Sequence, residues 1–230
     1  ELGENGSRAC LFGANGKNYV SFEDGRDKDY NDLVLEVEGG VDILEEQIDL
    51  DYNVYTFAFE DRSLGDYDLN DVVVKAQRTG LTTVKYSLEA CGGNDALYLR
   101  NISGRLLNGD TEVHGYFGVD TKSFVNTREN ETRYLPVQES ITVPSSFSFA
   151  DEASQLYIYN ATQGYEVHLA VAGQDPHAIL IPYDWQYPVE LTCVKDAYLE
   201  FNNWGQSRVD ATDWFEHPEA GKVYTLSVFR

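Results

Sequence analysis

The chain of 230 residues has no methionine, three cysteines, four histidines and only 17 basic side chains. Each shortage removes a class of protein. Without any methionine, not even an initiating one, the sequence reads as a processed or trimmed piece. Cys10, Cys91 and Cys193 are odd in number, widely spaced and without a Cys-x-x-Cys pair, so no zinc-ribbon or thioredoxin-like site is encoded. One disulfide with a free thiol and three buried thiols both fit that count. His114, His168, His177 and His217 form no HExxH and no close pair, and there is neither a G-x-S-x-G elbow nor a phosphate loop. His168, alternating with apolar residues in "YEVHLAV", reads as a satisfied strand histidine rather than a base. No run approaches the roughly 20 apolar residues of a membrane span, and no signal-peptide pattern is present.

The shortage of basic residues has its own consequence. Against 39 acidic residues they leave a net charge of −22, a surface that repels phosphate backbones and excludes nucleic acid as a partner. The same charge suits cation binding or plain solubility. A carboxylate pair for glycoside hydrolysis can be drawn anywhere among so many acids, so it carries no information. The sequence therefore reads as that of a non-enzyme.

What is present is β-forming sequence. Apolar residues make up 42% of the chain, with 16 Tyr and 11 Phe, enough for a real core. Short runs such as "KNYVSFED", "NVYTFAFED", "DVVVKAQ", "EVHGYFGV" and "HAILIPY" are rich in β-branched and aromatic residues and are punctuated by Gly, Asn, Asp and Pro. The pattern predicts an all-β fold, a β-sandwich or jelly-roll-like domain, with one or two short helices near the C-terminus. "VKDAYLEFNNWG" over 194–205 is the best helix, with Asp196 as a cap, Ala197, Leu199, Phe201 and Trp204 on a partly buried face, and Gly205 as its stop. A second short turn is expected at "ATDWFEH". Trp185, Trp204 and Trp214 could stack on sugar rings, but read as core or rim packing.

The acids are not scattered. "FED" at 22–24 is followed by Asp27-x-Asp29-x-Asn31-Asp32 and "LVL"; "FED" at 59–61 is followed by Asp66-x-Asp68-x-Asn70-Asp71 and "VVV". Each copy reads as strand, acidic loop, strand. We assign residues 1–50 to an N-terminal unit of this kind packed into the same domain, and 51–230 to the main β domain carrying the second loop. Residues 37–53, "VEGGVDILEEQIDLDYN", read as a further strand or packed loop.

Oxygen donors at alternate positions are how a short loop wraps a hard divalent cation. Asp27, Asp29, Asn31 and Asp66, Asp68, Asn70 have that alternation, with Asp24, Asp32, Asp61 and Asp71 as the next candidates and Glu23 and Glu60 in support. The loops are not EF-hands, since Asp32 and Asp71 stand where that loop needs Gly, and Gln77 stands where it needs Glu. Without Cys or His in either loop, zinc and copper have little to grip, and magnesium does not usually take a full carboxylate cage. One or two Ca2+ ions are the expected ligands. Asp32 and Asp71 have a second reading, as acceptors of backbone N–H bonds that close the loop.

"FEDGRDKDYNDLVLEVEG" resembles the motif of a domain of unknown function common in bacterial surface and repeat-toxin-like proteins. "YTFAFEDRSLGDYDLNDVVVKAQ", with "LEACGGNDALYL", "EVHGYFGV", "FVNT" and "HAILIPYDWQYPVELTCVKDAYLEFNNWGQS", resembles the LruC-type domain of bacterial envelope lipoproteins over roughly residues 50–230. The resemblance implies a secreted or surface-attached, outer-membrane-associated protein with a calcium-binding region and no established catalysis. The first loop is two residues shorter than the second, so equal affinity is not carried over. Three functions follow in order: a calcium-binding surface module, a carbohydrate-binding or adhesion module, and a structural envelope component without metal. A glycan or a surface protein is the expected partner; the oligomeric state is not encoded.

Overall fold

The structure is a computed structural model that describes residues 8–14, 17–24, 30–38, 51, 53–62, 65–101, 110–151, 156–170 and 176–225. Its contacts cluster in two units, Glu1–Leu50 and Asp51–Arg230. The first holds β1 (Ala9–Ala14), β2 (Lys17–Phe22) and β3 (Leu33–Val37) in one antiparallel sheet of that order.

The second unit contains two sheets. β4 (Val54–Phe59), β5 (Val72–Gly80), β6 (Thr83–Ala90), β8 (Val137–Thr142) and β11 (Ala178–Ile181) form a five-stranded sheet in the order β11-β4-β5-β6-β8. β7 (Leu97–Asn101), β9 (Leu156–Asn160) and β10 (Tyr165–Val167) form a smaller sheet, order β10-β9-β7. All pairings are antiparallel.

Both faces of the larger sheet are covered, which is why β5 opens on three consecutive valines instead of alternating with polar residues. On one face Phe57, Val74, Tyr86 and Leu88 pack against Leu99 and Ile158 of the smaller sheet. On the other, the small residues Ala58, Val73 and Ala90 leave room for a layer built on Trp185, Tyr198, Phe201 and Trp214. Two polar residues on that face are paired: Thr56 Oγ1 donates to the Tyr183 carbonyl at 2.8 Å and accepts from the Trp185 N–H at 3.1 Å, and Lys75 pairs with Asp184. The expected all-β architecture with short C-terminal helices is what these layers make.

One irregularity positions the site described below. Val73 faces Ala90 while Val74 faces Leu88, so Glu89 is an extra residue and β6 carries a bulge. The bulge moves Ala90 to the helix-covered face and directs the following Cys91-Gly92-Gly93 segment along the end of β5.

Several local expectations are corrected. The predicted helix over 194–205 is two helices, α1 (Val194–Ala197) and α2 (Phe201–Ser207), broken where Tyr198 turns extended to bury its ring. Asp196 lies in the first turn instead of capping it, Leu199 is 61% exposed, and Gly205 sits inside α2, which ends at the left-handed Arg208. "EVHGYFGV" is not a strand: the Glu112 carboxylate accepts the His114 N–H at 3.0 Å and starts a 3-10 turn over Val113–Phe117, closed by Gly118 at φ 71°. A second 3-10 turn spans Trp214–Glu216. The three cysteines are free thiols. Trp185 and Trp214 are core residues, as expected, and Trp204 is half-buried beneath Arg208. Of the expected strand or packed loop over 37–53, residues 39–50 and 52 lie outside the described residues. Among the described residues no helix is long and apolar enough to cross a membrane.

Candidate cation site in the second acidic loop

The two FED repeats are the ends of two equivalent hairpins. Phe22 pairs with Leu33, and Phe59 pairs with Val72. Within each loop the same bonds recur. The Asp24 N–H donates to Asp32 Oδ2 at 2.7 Å, and the Asp61 N–H to Asp71 Oδ2 at 2.6 Å. The Tyr30 N–H donates to Glu23 Oε2 at 3.2 Å, and the Tyr67 N–H to Glu60 Oε1 at 3.4 Å. Tyr30 and Tyr67 share a left-handed backbone, φ 54° and 58°. The neighbouring strand also matches: β1 enters with the Arg8 carbonyl accepting the Glu23 N–H at 2.9 Å, and β11 with the His177 carbonyl accepting the Glu60 N–H at 2.8 Å. That third strand precedes its hairpin in the first unit and follows it in the second.

In the second loop the chain coils tightly around Glu60. Tyr67 and Leu69 are both left-handed, an arrangement that aims alternate N–H groups into one concavity. The Glu60 carboxylate fills it, taking the Tyr67 N–H on one oxygen and the Leu69 N–H on the other at 3.2 Å. A Cβ on Gly65 would stand 2.0 Å from Glu60 Oε1, so a larger residue there would displace the carboxylate from its concavity. Asp68 accepts the Asn70 N–H at 3.1 Å and, from across the molecule, the Leu191 N–H at 3.0 Å.

Glu60, Asp66 and Asp68 each offer an oxygen, and these atoms lie within 4.8 Å of one another. Asn70 is fully buried; its Nδ2 donates to the Pro188 carbonyl at 3.0 Å, while its Oδ1 has no partner among the described residues. Gly92 marks where that oxygen points. A Cβ there would stand 2.1 Å from Asn70 Oδ1 and 3.0 Å from Glu190 Oε2. Solvent reaches Glu190 through a cleft it lines with Thr127, Arg128, Leu191 and Gly221.

Burial, reinforced by mutual repulsion, favours the protonated forms of Glu60, Asp68 and Glu190. Glu60 is pushed up to about 7 by burial, against the opposing Leu69 and Tyr67 N–H bonds. Asp68 is pushed up to about 9 by burial and by Asp66, Glu190 and Glu60, and Glu190 up to about 7 by burial. Close carboxylates in a low-dielectric pocket need either protons or a cation. The donor set is hard oxygen throughout, so it fits a hard divalent ion. Glu60, Asp66 and Asp68 can therefore hold a metal ion.

The predicted residues separate into groups. Asp66 and Asp68 come together with Glu60, which stands among the donors instead of behind them; Asn70 joins Asp68 through its backbone N–H and turns its Oδ1 toward Gly92. Asp61 and Asp71 lie behind, joined to each other; both are raised by burial first, with Asp95 the next cause for Asp61 and Glu60 for Asp71. Asp95 is held ionised by Arg62 at 2.9 Å, with Asn160 and Gln163 adding bonds. In the first loop Asp24, Asn31 and Asp32 are exposed, Glu23 is buried with an Oε1 that has no partner among the described residues, and Asp27 and Asp29 lie outside those residues. Glu190 was not predicted. It sits far along the sequence in "PVELTC", with no local signal that it returns to the loop.

Fold and site together define an antiparallel sandwich with a cation-competent hairpin loop. Residues 172–215, which include Glu190, α1 and α2, match the model of a domain of unknown function, DUF4842. The fold is similar to the crystal structure, at 2.08 Å, of a candidate lipoprotein from Bacteroides ovatus, with a TM-score of 0.50 and 13% identity, covering 75% of this chain and 76% of that one. No curated protein matches. Neither match is to a catalytic family.

Proposed function

We propose that this chain is a non-catalytic calcium-binding module of a secreted or surface-attached bacterial envelope protein. The observation that carries the reading is the convergence of three carboxylates within 4.8 Å of one another, in a loop whose buried Asn70 Oδ1 has no partner among the described residues. Calcium accepts six to eight oxygens in flexible geometry, and Glu60, Asp66, Asp68, Asn70 and Glu190 are the residues that would hold it. The ion supplies charge: it replaces the protons that Glu60, Asp68 and Glu190 otherwise keep. It also ties the hairpin loop to residues 188–194, which arrive from the far end of the chain. The repeated bonds at Glu23–Tyr30 and Asp24–Asp32 support a second, weaker site in the first loop. The likeness to a candidate lipoprotein supports the envelope setting.

At affinities of about 10⁻⁴ to 10⁻³ M, millimolar calcium adds about 0.5–2 kcal/mol per site, so the ion orders a fold that forms without it. Calorimetric titration of EDTA-stripped protein tests this. Heat on adding calcium, a raised melting temperature and a weaker response to magnesium are expected. Asp68→Asn is expected to remove the larger part of the heat. Absence of both heat and thermal shift in millimolar calcium overturns the reading.

A further inference from the structure

On its helix-covered face the larger sheet buries a lysine. The Lys75 side chain is 2% exposed, and its Nζ donates to Asp184 Oδ1. The register fixes its neighbours, with Thr56 of β4 on one side and Ser87 of β6 on the other. Thr56 also holds Asp184 in place, because its hydroxyl bonds the Tyr183 carbonyl and the Trp185 N–H, the residues that flank it. Alternation along β6 sends Leu88 into the sandwich core and therefore Ser87 and Glu89 to the face of Lys75. Glu89 is buried, and its Oε1 has no partner among the described residues. Burial raises the Glu89 carboxyl against an opposing bond with Ser87, and the charges of both Lys75 and Asp184 reach it, the first lowering and the second raising it. An ion pair needs one carboxylate. The second, buried with an unbonded oxygen, is in excess.

We propose that Lys75 and Asp184 join covalently, through an amide between Nζ and Cγ, with Glu89 carrying the proton that must move. Proton transfer within the pair first gives an amine and an acid. The Nζ lone pair then forms the bond to Cγ, the bond from Cγ to one Oδ breaks, and that oxygen leaves as water. The water takes the acid's own proton and one proton from the nitrogen. Glu89 relays the latter and ends in the state in which it began. No oxidant, cofactor or co-reactant enters. The fold favours the step by holding amine and carboxyl in contact, a fixed geometry in place of a collision. The product also replaces a buried ion pair, costly to desolvate, with a neutral amide. The Asp184 side chain is 26% exposed, which gives the water a way out. The amide links positions 109 apart in sequence, tying β5 to the segment after β11 in a chain whose three cysteines are free thiols.

Intact mass spectrometry of the denatured full chain reads the step directly, and it needs no variant to fold. The expected mass is one water below that of the sequence. Tandem spectra of a digest should show the Lys75 and Asp184 peptides joined, which separates this loss from cyclisation elsewhere. Lys75→Arg keeps the ion pair without the nucleophile and should have its full sequence mass. Glu89→Gln should also keep its full mass while its circular dichroism matches that of the unaltered chain. Asp184→Asn should form the same amide with ammonia as the leaving group, and weigh one ammonia less than its own sequence. An unaltered chain at full sequence mass overturns the proposal, as does a water loss that persists in Lys75→Arg. An amide formed to the same extent in Glu89→Gln overturns the part given to Glu89.

Discussion

At Gly92 a single added carbon would stand 2.1 Å from Asn70 Oδ1 and 3.1 Å from the Asn70 carbonyl, the first on a side chain anchored to the Pro188 carbonyl and the second bonded to the Gly92 N–H. At Gly205, inside α2, the same carbon meets nothing within 4 Å. The two substitutions to alanine therefore have opposite signs. Gly92→Ala should cost about 1–3 kcal/mol in urea unfolding, because a buried backbone segment must shift, and should also weaken calcium binding. Gly205→Ala should gain about 0.5–1 kcal/mol, the ordinary advantage of alanine over glycine in a helix. Equal effects at the two positions would mean that the tight approach at Gly92 is absent. Nothing local in "CGGND" distinguishes these glycines from those of a simple turn. What distinguishes Gly92 is Asn70, which reaches it only after the hairpin has closed.

Strands of the two units make opposite predictions. Leu88 of β6 is fully buried in the main core, and Leu88→Ala should cost about 2–5 kcal/mol. Leu35 of β3 is half-exposed, so Leu35→Ala should stay within about 0.5 kcal/mol. Chemical denaturation followed by tyrosine and tryptophan fluorescence separates these outcomes. At this scale much was legible. The FED prefix, the acidic alternation and the apolar suffix lie within a few residues of one another, so both copies could be read directly as strand, acidic loop and strand, while the register, Phe22 opposite Leu33 and Phe59 opposite Val72, came with the structure. What could not be read depends on distant partners. The pairing of β11 with β4, the break at Tyr198 that buries its ring against Trp185 and Trp214, and the approach of Glu190 to the loop follow from three-dimensional packing that no local period records. "EVHGYFGV" failed as a strand for a local reason that was available, since Glu112 sits where it can cap a turn at His114.

For the whole molecule, the raised acids link folding to pH. An unfolded carboxylate titrates near 4, whereas in the fold Glu60 and Glu190 are pushed up to about 7 and Asp68 to about 9. Between those limits the folded chain holds more protons than the unfolded one, so stability falls as pH rises. In EDTA the melting temperature should be lower at pH 9 than at pH 5.5, on the order of 5 °C for a chain of this size. Calcium should remove most of that difference, because it replaces the protons, and its own affinity should fall as pH drops below 7. A melting temperature that climbs from pH 5.5 to pH 9 in EDTA would contradict the buried, mutually repelling arrangement.

The route of the chain also gives the loop a schedule. β4 ends at Phe59, and its outer neighbour β11 begins at Ala178. At synthesis rates of about 5–20 residues per second, β4 waits roughly 6–24 s for that strand to emerge. The loop waits longer, because the Tyr67 carbonyl and the Asp68 carboxylate are closed by the N–H groups of Val194 and Leu191. The hairpin is thus among the earliest parts of the main unit to be made and among the last to be finished. A cation held there meets a chain already folded around it and acts as a seal on the completed molecule, not as its nucleus.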